Sequence, residues 1–121
     1  MKTFGEMLRE CRRQSALSQR ELAKRAGVDF SYISKLENGR LSAPAADTIL
    51  RLTEAMGISE EELLAAAKKM PTKVNEQLVE KPAALRFLQA ATRMGLSEDE
   101  WTQLSESLPG LRLPLDKDRT A

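Results

Sequence analysis

The stretch from Leu17 to Arg40, LSQRELAKRAGVDFSYISKLENGR, constrains the fold more than any other part of the chain. Its small, apolar and turn-forming residues fall where two short, crossed helices need them. Ser18 and Glu21 form an S-x-x-E pattern in which each side chain reaches the other residue's backbone N–H, opening a helix at Gln19. Ala23, within that helix, is small enough to let a second helix cross closely. Gly27 ends it, because a residue without a Cβ enters the left-handed region at no steric cost. Asp29 stands where the next helix needs an N-cap, and that helix starts near Phe30. At about 100° per residue, Ile33 and Leu36 share its inner face, while Ser31, Ser34, Lys35 and Asn38 point the other way. The second helix therefore has a core side and a short, polar, outward side.

Helical signals continue along the whole chain, and alternating apolar and polar runs of the strand type are absent. Capping boxes recur at Thr3 with Glu6, Ser59 with Glu62 and Ser97 with Glu100, and Gly57 and Gly95 mark ends. The spacing predicts helices near 4–15, 19–26, 30–38, 45–56 and 60–69, then near 73–80, 83–94 and 98–107, with Pro82 setting the first turn of the seventh. Pro71 divides a first domain, residues 1–70, from a C-terminal helical extension, 71–108. Pro109 and Gly110 stop the last helix, and 109–121 reads as a flexible tail.

Composition narrows what such a chain can do. There is one cysteine and no histidine, so an internal disulfide, a zinc site and the usual general base are all missing, and neither catalysis nor a cofactor is expected. No apolar run of about 18 residues is present for a membrane span, nor a charged start leading into an apolar stretch, which places the chain in the cytoplasm. The net charge of +1 is uneven: residues 1–41 hold nine Lys or Arg against five acids, a balance of +4, leaving −3 for the rest. That asymmetry fits a DNA-facing front and an acidic back, although an ordinary solvated surface gives the same count.

The spacing Gln19, Ala23, Gly27, Ile33, Leu36, then Glu37, Asn38, Gly39 and a basic residue, resembles the Xre family of helix-turn-helix regulators, related to the lambdoid phage repressors. With the upstream helix and the P-x-x-x-T-I-x-x-L pattern from Pro44 to Leu52, the resemblance covers roughly residues 4–67. It implies an all-α fold: a five-helix repressor-like domain whose third helix enters the major groove, in proteins that bind paired half-sites as dimers. It also implies a bacterial or phage-encoded origin, backbone-phosphate contacts from Asn38 and Arg40, and an ion pair of Arg12 with Glu37. Glu37 lies near a helix C-terminus, against the dipole, and so needs a partner; Arg13 is the alternative.

Single residues carry two readings each. Ser31, Ser34 and Lys35 are candidates for base edges, since Lys reaches guanine acceptors and Ser is permissive; otherwise they form a solvated face. Phe30 either touches a thymine methyl or covers the edge of the core. Tyr32 packs its ring or reaches a phosphate with its hydroxyl. Gln19, at the first position of its helix, can meet a phosphate together with free backbone N–H groups. Asn38 also terminates its helix with Gly39, and Arg13 is a looser phosphate candidate. Cys11 follows Phe4 and Leu8 at helical spacing, which makes it a core thiol before a redox sensor.

The extension is amphipathic, with Val74 and Leu78, Leu85 and Leu88, and Leu104 and Leu108 in stripes, and with Phe87 and Trp101 as larger anchors. It packs on the first domain, forms a dimer interface, or receives an antagonist protein or a protease. The sequence as a whole points to a dimeric, sequence-specific repressor on a double-stranded DNA operator. The competing class is an antitoxin-like or adaptor protein acting through its C-terminal helices.

Overall fold

A computed structural model of the chain describes residues 2–112. The described residues form eight α-helices and a closing 3-10 turn, with no strand among them. The helices are α1 (Phe4–Gln14), α2 (Gln19–Ala26), α3 (Phe30–Glu37), α4 (Ala46–Met56), α5 (Glu61–Ala67), α6 (Thr72–Val79), α7 (Pro82–Met94) and α8 (Glu98–Ser107). The all-helical expectation holds.

Local chemistry explains most of the boundaries. Thr3, Ser18 and Ser97 each complete a reciprocal capping box with Glu6, Glu21 and Glu100. Gly27 closes α2 at φ 71°, where a Cβ would be strained, and Gly57 and Gly95 close α4 and α7 in the same region. Two expected caps do not form. Glu60, not Ser59, is the N-cap of α5, so Glu62 falls at the second helical position, one residue short of what a box with Ser59 requires. Asp29 occupies the N-cap of α3 but makes no side-chain cap bond; the Tyr32 N–H, which a cap would use, goes instead to the Asp29 carbonyl at 3.1 Å.

The chain divides into two compact units, Met1–Gln77 and Leu78–Ala121, with the boundary inside α6 and not at Pro71. Pro71 opens α6 instead of separating it: proline lacks only an N–H that a helix start leaves free, and its carbonyl accepts from Asn75 N at 3.1 Å. In the first unit α1 packs on α3 and α5, α2 on α3 and α4, and α4 on α5. Leu8, Leu22, Ile33, Leu36, Ile49, Leu52 and Leu63 are at most 1 % exposed and form the centre of this core. Burying each such side chain is worth about 1.5–3 kcal/mol, so these seven outweigh any single surface interaction in placing α2 and α3. α1 approaches α3 closely at Gly5, where a Cβ would collide with the Leu36 carbonyl oxygen and lie 2.9 Å from that of Glu37.

In the second unit α7 and α8 form a hairpin turned at Gly95, with Phe87 and Trp101 edge to face at 6.5 Å and 71°. Ala91 is the one buried residue of α7, and α8 has none. Phe87, Ala91, Met94, Leu96 and Leu104 line an apolar groove of about 440 Å³. Beyond α8 the chain winds into a 3-10 turn, Leu108–Arg112, so Pro109 and Gly110 tighten the helix end and the expected tail does not begin at 109. The proline ring suits a turn of this kind, and the tighter winding absorbs it. The rest of that tail, 113–121, lies outside the described residues.

Candidate nucleic-acid interface

The outward side of α3 is positioned by a polar hub beneath its C-terminal end. Glu37, its side chain fully buried, accepts from Arg12 Nε at 2.6 Å on Oε2 and from Arg12 Nη2 at 2.9 Å on Oε1, a two-pronged pairing. Gln19 Nε2 donates to Oε1 at 3.0 Å, and Arg9 Nε lies 3.4 Å from the same oxygen. Arg12 Nη1 also donates to the Leu17 carbonyl at 2.9 Å, tying the turn before α2 to the same centre. Burial alone would raise the Glu37 carboxyl, but the hydrogen bonds from Arg12 and Gln19 and the Arg12 charge together hold it below the ordinary carboxylate range. One carboxylate thus joins α1, the start of α2 and the end of α3.

Above this hub the candidate contact residues separate into groups. Ser31 and Lys35 are exposed and Ser34 is half-buried, all on the side of α3 opposite Ile33 and Leu36. Asn38 is exposed at the end of α3; its Oδ1 accepts from Arg9 Nη2 at 2.9 Å and its amide lies 3.4 Å from Ser34 Oγ. Arg40 and Arg13 are exposed. Gln19 is half-buried and its side-chain amide is engaged with Glu37, so its free groups toward a phosphate are the remaining amide N–H and the backbone N–H groups at the start of α2. Tyr32 packs its ring against the core, and burial pushes its phenol above the ordinary value. Phe30 is 38 % exposed, with the Arg20 guanidinium carbon 4.3 Å above its ring centroid. Arg20, Lys24, Arg25, Lys35 and Arg40 are exposed on α2, α3 and the turn that follows. With Glu37 neutralised inside the hub, this surface carries an excess of positive charge.

A protein-family model described as helix-turn-helix matches residues 8–63, the span from α1 into α5. A transcriptional repressor of Bacillus subtilis, RghR, is 40 % identical over 67 residues, which make up 55 % of this chain and 50 % of the repressor. A helix-turn-helix-type transcriptional regulator of Sinorhizobium fredii, y4dJ, is 34 % identical over 70 residues, covering 58 % of this chain and 90 % of the regulator. The chain belongs to the Xre-like helix-turn-helix family. That family is one of DNA-binding transcriptional regulators. The chain spans about half the length of the Bacillus relative. The fold extends further: a solved complex of the SinR and SinI proteins aligns at 20 % identity with a TM-score of 0.50, covering 88 % of this chain and 95 % of that one.

Within the helix-turn-helix unit, Arg9, Gly5 and Arg20 are the residues that sequence reasoning overlooked. Gly5, Arg9 and Arg12 recur at helical spacing on one face of α1, and a glycine in the interior of an otherwise good helix signals close backbone approach. Arg12 is the partner of Glu37 and not the alternative, Arg13, and Arg9 joins it as a second arginine. Cys11 is half-buried against the core, and burial raises its thiol, which disfavours the reactive thiolate. Among the described residues no cluster of acids, cysteine or histidine could hold a metal ion, and no helix is long and apolar enough to cross a membrane.

Proposed function

We propose that the protein is a sequence-specific regulator of transcription that inserts α3 into the major groove of double-stranded DNA, as a homodimer on paired half-sites, and represses the promoter it occupies. The observation that carries this is the polar outward side of α3, held by the Arg12–Glu37 hub and flanked by exposed arginines and lysines. Ser31, Ser34 and Lys35 then face base edges, with Phe30 at the rim, while Arg13, Gln19, Asn38 and Arg40 meet phosphates and fix register. Tyr32 contributes packing, and its hydroxyl is the one part of it available to a phosphate. Arg12 and Glu37 are architectural. Repression agrees with the name of the Bacillus relative, and a regulator of this kind works in the bacterial cytoplasm, with no cofactor.

The extension supplies the dimer contact in this proposal. Leu85, Phe87, Met94 and Leu108 of the second unit are each more than half exposed, an unusual cost for a small helical hairpin. Covering them with a second copy would pair two chains, as reading two half-sites one DNA turn apart requires. Met94→Glu, at a site 73 % exposed, should leave helix content intact while converting a sedimenting dimer to a monomer. A variant that stayed dimeric would place the interface elsewhere. The same groove favours a second use, as the landing site of an antagonist protein or a protease.

The test of the whole is selection of bound sequences from random duplex DNA, with the winners titrated at two salt concentrations. A two-fold-symmetric motif with half-sites about one helical turn apart, and affinity falling steeply with salt, is expected. If no motif emerges and binding is absent at low salt, the protein is an adaptor or antitoxin-like partner that acts through its C-terminal helices.

A further inference from the structure

Arg20 sits at the second position of α2, yet its guanidinium lies over the ring of Phe30, the first residue of α3, with Cζ 4.3 Å from the ring centroid. Among the described residues it makes no ion pair and no side-chain hydrogen bond, since neighbouring Glu21 is committed to capping Ser18. A guanidinium resting on an aromatic face uses its π surface and leaves the in-plane N–H donors free. Those donors lie at the N-terminal end of α3, the end from which helix-turn-helix proteins reach base edges. The fork of two parallel N–H groups matches O6 and N7 of guanine, the commonest specific contact in the major groove.

We infer that Arg20, held over Phe30, reads a guanine at the outer edge of each half-site. This rests on the DNA-binding role proposed above. Phe30 is then neither a thymine contact nor a lid on the core but a platform: it restricts the arginine to few rotamers before DNA arrives, so less freedom is lost on binding. That accounts for an aromatic ring left 38 % exposed at a helix start with a cation on it. The same fork can hold a phosphate, but only a base contact makes the loss on removing Arg20 depend on one base pair of the site.

Selection from random duplexes with the full chain separates these roles, comparing the natural protein with Arg20→Ala, Arg20→Lys, Phe30→Leu and the Arg20→Ala/Phe30→Leu double variant. Arg20→Ala should lose the preference for one guanine per half-site by roughly tenfold to a hundredfold, with the other positions unchanged, and Arg20→Lys should keep only part of it, since an ammonium reaches the same acceptors without the planar fork. Phe30→Leu should weaken that same preference in part, and the double variant should be no worse there than Arg20→Ala. Circular dichroism checks that each variant keeps its helices. Uniform weakening of all duplexes by Arg20→Ala, with Arg20→Lys restoring affinity equally on all of them, would overturn the inference in favour of a phosphate contact. A natural protein that selects a motif which Arg20→Ala leaves intact would also overturn it, and leave the DNA-binding role standing. No motif with the natural protein would remove both.

Discussion

Replacing Arg12 by methionine tests the hub from which α3 is held. In the natural protein Glu37 is fully buried and Arg12 is the sole donor to its Oε2 among the described residues, at 2.6 Å. Arg12→Met strands that oxygen, leaves Oε1 with Gln19 at 3.0 Å and the longer Arg9 contact at 3.4 Å, and removes the donor to the Leu17 carbonyl. Breaking a buried pair from one side costs about 3–5 kcal/mol. The partial cover of Oε1 argues for the lower half of that range, and the orphaned carbonyl adds about 1 kcal/mol. A loss of roughly 4 kcal/mol consumes much of the ~5–15 kcal/mol available to a domain and lowers Tm by about 15–30 °C for a unit of this size. Urea unfolding followed by far-UV circular dichroism measures it. The Arg12→Met/Glu37→Met double variant, which removes both charges, should recover most of the loss, since an apolar pair of similar volume replaces a buried ion pair at little cost. A single variant within about 1 kcal/mol of the natural protein, or a double variant as unstable as the two singles combined, would refute the assignment of the hub as a buried, desolvated pair.

Gly5→Ala should destabilise the first unit by about 1–3 kcal/mol, because its methyl meets the backbone oxygens of Leu36 and Glu37 and neither can move without shifting α3; an unchanged urea midpoint would mean that α1 lies further from α3. The depressed Glu37 carboxyl sets a pH dependence: its contribution is complete above the unfolded carboxylate value near 4.3 and is lost as pH falls through the lower folded value. Glu37→Gln should therefore flatten the acid limb of the stability curve, and an unaltered limb would assign acid unfolding to other carboxylates. Lys35→Ala should cost roughly 1–3 kcal/mol on the selected motif and much less on random DNA, whereas Arg40→Ala should weaken both alike. Equal losses for Lys35→Ala would move it to the phosphate group.

What could be read in the sequence was what depends on a few neighbouring residues. The capping boxes at Thr3, Ser18 and Ser97 and the stop at Gly27 are local devices, and each marks a helix end in the structure. The start of α5 was misjudged because its register is set by packing of Leu63 and Leu64 into the core, which moves the first turn one residue past Ser59. The continuation after α8 was missed because proline and glycine stop an α-helix but permit a 3-10 turn. At the interface, the outward set on α3 followed from periodicity alone, since Ile33 and Leu36 define the buried face. The second arginine on Glu37 and the stacking of Arg20 on Phe30 did not, because each joins helices that are distant in sequence or separated by a turn. Gln19 shows the converse: its position at a helix start was legible, while its engagement with a carboxylate eighteen residues away was not.

Methylation interference on the selected duplex addresses the central claim, that α3 lies in the major groove, most directly. Dimethyl sulfate marks guanine at N7, on the major-groove edge, and adenine at N3, on the minor-groove edge. Interference should fall on guanine N7 within each half-site, on the same face of the DNA one helical turn apart, and adenine N3 methylation should be tolerated. Interference confined to adenine N3, or none within the motif, would contradict the placement of α3 as the recognition helix.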